Sequence, residues 1–278
     1  MNDKEIFLRL MSWPEIEERL KLTDVALLPV GQTEQHGHHL PLDVDNIICT
    51  GLAKMVAMET FDTVKPVVAP TIPFGYSDLP AFSRYPGTFT LQPATLISLY
   101  VDVARSLVKM GFKKVIFING HYPNPPFIEE AMRQLTKETG AFFALGNFFV
   151  LADEISREIL NEMGKPPRWG HACLVETSVS ELFGAEVRRA KVIGFMPKPY
   201  PLELQNFIPV TPPGITIPWL EQEEVMNCCW PEESPGPIGD PAGHSREIGE
   251  RIVKATIAPL VQLVNDIKTL KVNLKQLP

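Results

Sequence analysis

"DVALLPVGQTEQHGHHLPLDVDNIICTGLAKMVAM", residues 24–58, puts a strand, a loop and a helix in direct succession. The apolar run 24–31 ends in proline and glycine and reads as a buried strand. Residues 45–58 place apolar side chains at helical spacing, with Asp45 or Asn46 as a candidate N-cap. The loop between them holds three of the chain's six histidines, together with Glu34 and Asp43.

The same alternation continues outward from this unit. Residues 64–75 are β-rich, but their prolines demote them to an edge strand or extended loop. Residues 93–112 form an amphipathic helix with a glycine stop, and "KKVIFING" (113–120) is the clearest buried strand. Residues 125–140 begin with proline and end with glycine, as a helix does. A strand over 141–150 and helices over 152–164, from 176 and over 245–270 follow, the last bent near Pro259. Strands alternating with helices predict an α/β fold, a mostly parallel sheet with helices on both faces. Such sheets bind ligands just beyond the carboxyl ends of their strands. The histidine loop follows one strand end directly, and "NGH" (119–121) follows another.

Length and composition narrow the function. At 278 residues the chain suits one large domain better than two. The net charge of −7 is dispersed, with no like-charge block for nucleic acid or an anionic membrane. No apolar run reaches the length of a membrane span, and the charged N-terminus has no signal-peptide core. A cytoplasmic location is the expectation. The cysteines (Cys49, Cys173, Cys228, Cys229) form no CxxC pair and suit a reducing compartment. The 27 prolines, about twice average usage, mark long ordered loops. The 197–241 stretch carries Trp219 and Trp230 and reads as a lid, an oligomer contact or a locally packed loop. A GxGxxG turn after the first strand and a Walker A motif are both missing, which disfavours a nucleotide-binding module.

The chemistry-bearing residues sit past strand ends. Glu34, His36 and Asp45 follow the first strand, His121 follows the 113–120 strand, and "RWGHACLVETS" supplies His171 and Glu176 before a helix. Carboxylates and imidazoles together ligate Zn²⁺, Mn²⁺ or Fe²⁺. In extended chain Glu34 and His36 share a face. Asp45 is the candidate bridge, because one carboxylate can span two ions about 3.5 Å apart. The plainer alternative makes Glu34 a surface carboxylate, Asp45 a helix cap and the histidines loop residues.

"PVGQTEQHGHHLPLDVD" (29–45), "NGHYPN" (119–124), "HACLVETS" (171–178) and "GDPAGHSREIGE" (239–250) resemble, in order, the motifs of the creatininase (creatinine amidohydrolase) family. "RYPGTFTL" (84–91) resembles its aromatic-Pro-Gly-Thr stretch, and the likeness runs from about residue 10 to residue 265. The resemblance implies a three-layer α/β/α sandwich, two divalent metal ions per chain and assembly as a hexamer. By resemblance Glu34 and His121 bind one ion, His36 binds the other, and Asp45 bridges them. His171 is implied as the acid/base residue, and Tyr122 as a substrate contact. Ser77 and Trp169 lie in adjoining loops and join Tyr122 as candidate pocket residues.

Departures from the family pattern bear on substrate. Creatinine-cleaving members carry a ligand glutamate two residues after the "NGH" histidine, where this chain has Pro123. Glu176 is the candidate replacement; otherwise it is a carboxylate favoured by a helix N-terminus. Cys173 and Leu174 replace residues common in the family, and Phe82 stands near where a histidine is frequent. Creatinine itself is therefore not the expected substrate. Asn119 and Asn124 are candidates for orienting the ligand histidines. His38 and His39 read mainly as loop residues, and His244 as either a pocket or a capping residue. The expected activity is metal-dependent hydrolysis of a small cyclic amide, lactam or formamide, by a hydroxide between the two ions with His171 as proton donor. The alternative is C–C hydrolysis opening a cyclic diketone such as a keto-inositol.

Overall fold

The computed structural model describes residues 3–78, 83–167, 169–195 and 234–276. Most of the 197–241 stretch, with Trp219, Trp230, Cys228 and Cys229, lies outside the described residues, as does Phe82. Four strands, β1 (Val25–Val30), β2 (Val67–Val68), β3 (Lys114–Asn119) and β4 (Phe142–Asn147), form one parallel sheet in the order β2-β1-β3-β4. Eight α-helices accompany them among the described residues. They are α1 (Trp13–Leu20), α2 (Val44–Glu59), α3 (Pro93–Met110), α4 (Pro125–Thr139), α5 (Phe148–Leu151), α6 (Asp153–Glu162), α7 (Leu174–Leu182) and α8 (Arg246–Asp266).

The side-chain period of a strand divides the interior into two cores. Val25 and Leu27 of β1 with Ile116 and Ile118 of β3 face a core built from α2, α7 and α8. Ala26, Leu28 and Val30 with Val115 and Phe117 face the opposite core, built from α3 and α4. Both faces are covered, so β1 and β3 are buried throughout and read as unbroken apolar runs. This is a three-layer α/β/α arrangement. Pro29 sits inside a central strand without breaking the main ladder. Its carbonyl accepts from Ile72 at 3.0 Å, so the side on which it lacks an N–H faces the short edge segment, away from β3.

Several boundaries differ from the sequence expectation. The strand expected to run to residue 150 stops at Asn147, whose side chain caps the next helical turn by accepting from Phe149 N–H. The cap position of α2 is Asp43, not Asp45 or Asn46; Asp45 lies in the first turn, one residue further in than the helix start. Helix α7 begins at Leu174, two residues before Glu176. Helix α8 runs on through Pro259. Helix α1 was not anticipated; a capping box between Ser12 and Glu15 starts it.

The topology creates a crevice. The chain leaves β1 for α2 on one face, and leaves β3 for α4 on the other. β1 and β3 are neighbours, with Val30 opposite Asn119 at their carboxyl ends. Their outgoing loops diverge at that point, which is the switch position where doubly wound sheets bind ligands.

Candidate metal centre

Six buried side chains meet in this crevice. Glu34 and His36 come from the loop after β1, Asp45 from the first turn of α2, and His121 from the loop after β3. His171 precedes α7, and Glu176 lies in its first turn. Two glycines allow the approach. A Cβ on Gly120 would stand 2.4 Å from the Asp45 carbonyl oxygen, and one on Gly31 would stand 2.2 Å from Asn46 Oδ1. Any side chain at 31 or 120 would push α2 away from the sheet end.

Within the cluster, His121 Nδ1 lies 2.8 Å from Asp45 Oδ2 and 3.4 Å from Glu34 Oε1. His36 Nε2 lies 3.2 Å from Asp45 Oδ1 and 3.9 Å from Glu176 Oε2. His171 Nδ1 lies 3.6 Å from Glu34 Oε1, and its ring centroid is 4.2 Å from that of His36. The donor atoms form three overlapping triads: Glu34, Asp45 and His121; His36, Asp45 and Glu176; and Glu34, His36 and His171. Asp45 belongs to the first two.

The second nitrogen of each histidine settles its tautomer. His36 Nδ1 is 3.2 Å from the Glu34 carbonyl, His121 Nε2 is 2.9 Å from the Tyr76 carbonyl, and His171 Nε2 is 2.5 Å from the Gln35 carbonyl. A carbonyl only accepts, so each of these nitrogens carries the hydrogen. In the neutral ring the remaining nitrogen then turns a lone pair towards carboxylates. Lone pairs facing carboxylates at such distances repel unless a cation lies between them. His36 Nε2, buried 3.2 Å from Asp45 Oδ1, is one such nitrogen. This is the arrangement metal-binding histidines adopt, with the outer N–H on a carbonyl, and the donor set fits Zn²⁺, Mn²⁺ or Fe²⁺.

Protons take the cation's place in the electrostatics. Burial disfavours a charged His36, yet Asp45, then Glu176 and Glu34, lift it to about 9. Burial likewise opposes a charged His121, and Glu34 and Asp45 lift it to about 9. Burial raises Glu176 to about 8, against the pull of His36. Burial also raises Glu34. Asp45 falls below the ordinary carboxylate range because His36 and His121 outweigh its burial. Burial, and next His36, push His171 well below 6.5, so its resting form is neutral.

Ser77, expected to line the pocket, is fully buried behind the cluster. Its hydroxyl makes a short hydrogen bond to Glu34 Oε2 and lies 3.2 Å from His121 Nε2. Tyr122 is exposed and meets Phe149 edge-on at 5.5 Å, while Phe149 stacks on Trp169 at 5.4 Å. Trp169 also donates to Asp153 Oδ1 at 3.0 Å. Asn119 bonds the His121 backbone: its Nδ2 donates to the His121 carbonyl at 2.7 Å and its Oδ1 accepts from His121 N–H at 3.2 Å. Asn124 donates to the Gly31 carbonyl at 3.0 Å and accepts from Tyr76 N–H at 3.2 Å, tying three loops together. His39 is buried against Thr177 Oγ1 at 3.1 Å, His38 is exposed, and His244 lies beside Arg189 and Glu181. Sequence reasoning missed Phe149 and the three carbonyl partners. The Phe148-Phe149 pair after a strand was the available signal for the first, whereas carbonyl directions leave no trace in residue types.

A family model described as creatininase, creatinine amidohydrolase, matches residues 9–264. The chain belongs to the creatininase family. Creatinine amidohydrolase of Pseudomonas putida is 34% identical over 139 residues, covering 49% of this chain and 52% of that protein. The 3-dehydro-scyllo-inosose hydrolase of Thermotoga maritima is 34% identical over 116 residues, covering 42% of this chain and 36% of that protein. The mycofactocin precursor peptide peptidase of Mycolicibacterium smegmatis is 37% identical over 120 residues, covering 42% and 47%. The matched part of the chain thus spans about half the length of these curated relatives or less. The crystal structure of creatinine amidohydrolase superposes with a TM-score of 0.76 at 24% identity, covering 96% of this chain and 99% of that one, which fixes the creatininase fold. A manganese creatininase (TM-score 0.75, 24% identity, 95% and 99% covered) and a Zn–Zn creatininase variant (0.74, 25%, 95% and 98%) superpose equally well.

Proposed function

We propose that this creatininase-family chain is a metal-dependent hydrolase of a small cyclic amide, lactam or formamide. The observation that carries the reading is the pair of triads sharing Asp45, each with a histidine lone pair turned inwards. Glu34 and His121 would hold one divalent ion and His36 and Glu176 the other, with Asp45 common to both. Such ions, when bound, polarise a carbonyl oxygen and lower the pKa of water.

The remaining work falls to this chain's side chains. His171 enters neutral, with its hydrogen on Nε2 and its Nδ1 aimed into the crevice. It takes the proton of the attacking water at Nδ1 and returns it to the leaving nitrogen. Ser77 holds Glu34 from behind, a role suited to its burial better than substrate contact. Tyr122 and Trp169, joined by Phe149, offer an apolar wall to a flat ring. Pro123 leaves the second ion to Glu176, whose carboxylate is the nearest to His36 after Asp45. We further propose one domain over the whole chain, a cytoplasmic location and a homo-oligomer, hexameric by resemblance; no helix of the described residues is long and apolar enough to cross a membrane.

Creatinine amidohydrolase and the peptide peptidase, by their names, break C–N bonds. The inosose hydrolase favours a second reading, in which the same residues open a cyclic ketone with carbon as leaving atom. Incubating Zn²⁺- or Mn²⁺-loaded protein with lactams, cyclic ureides and formamides beside keto-inositols separates the two. Turnover of a nitrogen compound supports the first reading; turnover of keto-inositols alone replaces it with the second.

A further inference from the structure

Residues 234–240 lie across the two segments that carry Glu34, His36 and His171. Ile238 N–H donates to the His171 carbonyl at 2.6 Å, and the Asp240 carbonyl accepts from Leu174 N–H at 3.2 Å. The contact is close: a Cβ on Gly170 would stand 3.0 Å from Ile238 Cβ. Ala172, next to His171, has φ +52°, a left-handed conformation that a residue with a Cβ holds only when its surroundings impose it. The His171 carbonyl on one side and Ala172 N–H on the other are both bonded, to Ile238 and Glu176.

Gln35 joins this strap to the cluster, and all four of its polar groups are engaged. Its N–H donates to Thr88 Oγ1 at 3.1 Å, and its Oε1 accepts from Gly37 N–H at 2.9 Å. Its Nε2 donates to the Gly236 carbonyl at 3.1 Å, and its own carbonyl accepts from His171 Nε2 at 2.5 Å. Position 236 must be glycine: φ is +101°, and a Cβ would stand 2.1 Å from Gln35 Oε1. The side-chain amide thus ties the 35–37 backbone, whose Gln35 carbonyl meets the imidazole, to the strap at Gly236.

We propose that Gln35 is a positioning residue for His171, acting together with the 236–238 strap to hold the hydrogen on Nε2 and turn Nδ1 into the crevice. The proposal rests on the reading of His171 as the acid/base group for its catalytic meaning, but the ring geometry can be tested separately. With histidine selectively ¹⁵N-labelled, the Zn²⁺-loaded full chain shows an Nε2–H resonance that is absent from His171→Gln. In Gln35→Ala this hydrogen exchanges with solvent at least about tenfold faster, and kcat falls about 10- to 100-fold with KM little changed, the usual cost of losing an outer partner. Gln35→Glu behaves like Gln35→Ala, because a carboxylate oxygen then faces the Gly236 carbonyl. Should Gln35→Ala fail to fold, Ile238→Pro deletes the other strap bond and accelerates the same exchange. No such resonance in the unsubstituted protein, or exchange in Gln35→Ala at the unsubstituted rate, overturns the proposal. If His171→Gln instead turns over substrate normally, the acid/base reading falls, and the resonance still decides whether Gln35 positions the ring.

Discussion

His171 differs in its surroundings from His36 and His121, the proposed ligand histidines, and the different roles proposed for them rest on that. His36 and His121 face carboxylates at 3.2 Å and 2.8 Å, whereas His171 Nδ1 stands back at 3.6 Å from Glu34. His171 also belongs to a triad with Glu34 and His36, so a ligand role is the competitor. We predict that His171→Gln lowers kcat about 10²- to 10⁴-fold, the usual worth of general acid–base catalysis, while elemental analysis finds unchanged metal. Loss of an ion in that variant makes His171 a ligand instead. Proton linkage gives a second prediction. The unfolded chain releases its His36 and His121 protons near 6.5, while the metal-free fold keeps them to about 9. Glu176 likewise keeps its proton from 4.5 to about 8 only when folded. In this window the folded state binds more protons, so stability falls as pH rises. Below 6.5 the sign reverses for His171, which stays neutral in the fold. Thermal unfolding with a chelator present should therefore show Tm dropping between pH 6.5 and 9, and divalent metal, which displaces those protons, should remove the drop. A chelated protein whose Tm holds or climbs across that range contradicts this electrostatic account.

At the scale of elements, the centre depends on how closely α2 approaches the sheet end. Gly120→Ala puts a Cβ into the Asp45 carbonyl. The expected cost is about 1–3 kcal/mol of overpacking, read in denaturant melts, together with weaker metal binding, because Asp45 and His121 both move. A neutral outcome in both measurements means the two loops are looser than described. Leu27 of β1, fully buried in the core it shares with α2, should cost about 2–5 kcal/mol as Leu27→Ala and leave the metal content of the folded fraction intact. Much of this layer was legible in the sequence. The apolar runs of β1 and β3 and the helical periods of α2, α3 and α4 stand plainly in the residues, because burial on both faces and on one face leave different repeats. Ends were less legible. The strand after α4 stops at Asn147 because its side chain caps the following turn, and Asp43 rather than Asp45 starts α2. Polar residues crowd both places, so residue type alone does not choose among them. The candidate site residues were legible as carboxylates and histidines past strand ends, and their proposed roles through motif resemblance, whereas the Gln35 amide and the Tyr76 carbonyl became visible only in three dimensions.

For the whole molecule, chain order and chemistry coincide. The sheet order β2-β1-β3-β4 sends the loops after β1 and β3 to opposite faces, and the crevice between them collects candidate ligands from positions 34 to 176. No local segment holds this site; Glu34 and Glu176 meet only when the α2 and α7 layer closes on the strand ends. On the proposed reading, the family's fold carries a metal centre whose second half departs from the creatinine-cleaving pattern at Pro123 and draws on Glu176 instead. Elemental analysis of purified protein after loading with Zn²⁺ or Mn²⁺, for the unsubstituted chain and for Glu176→Ala, tests this most directly. The account predicts two ions per chain, falling to one in Glu176→Ala. One ion or none in the unsubstituted chain, or two retained in Glu176→Ala, would contradict it.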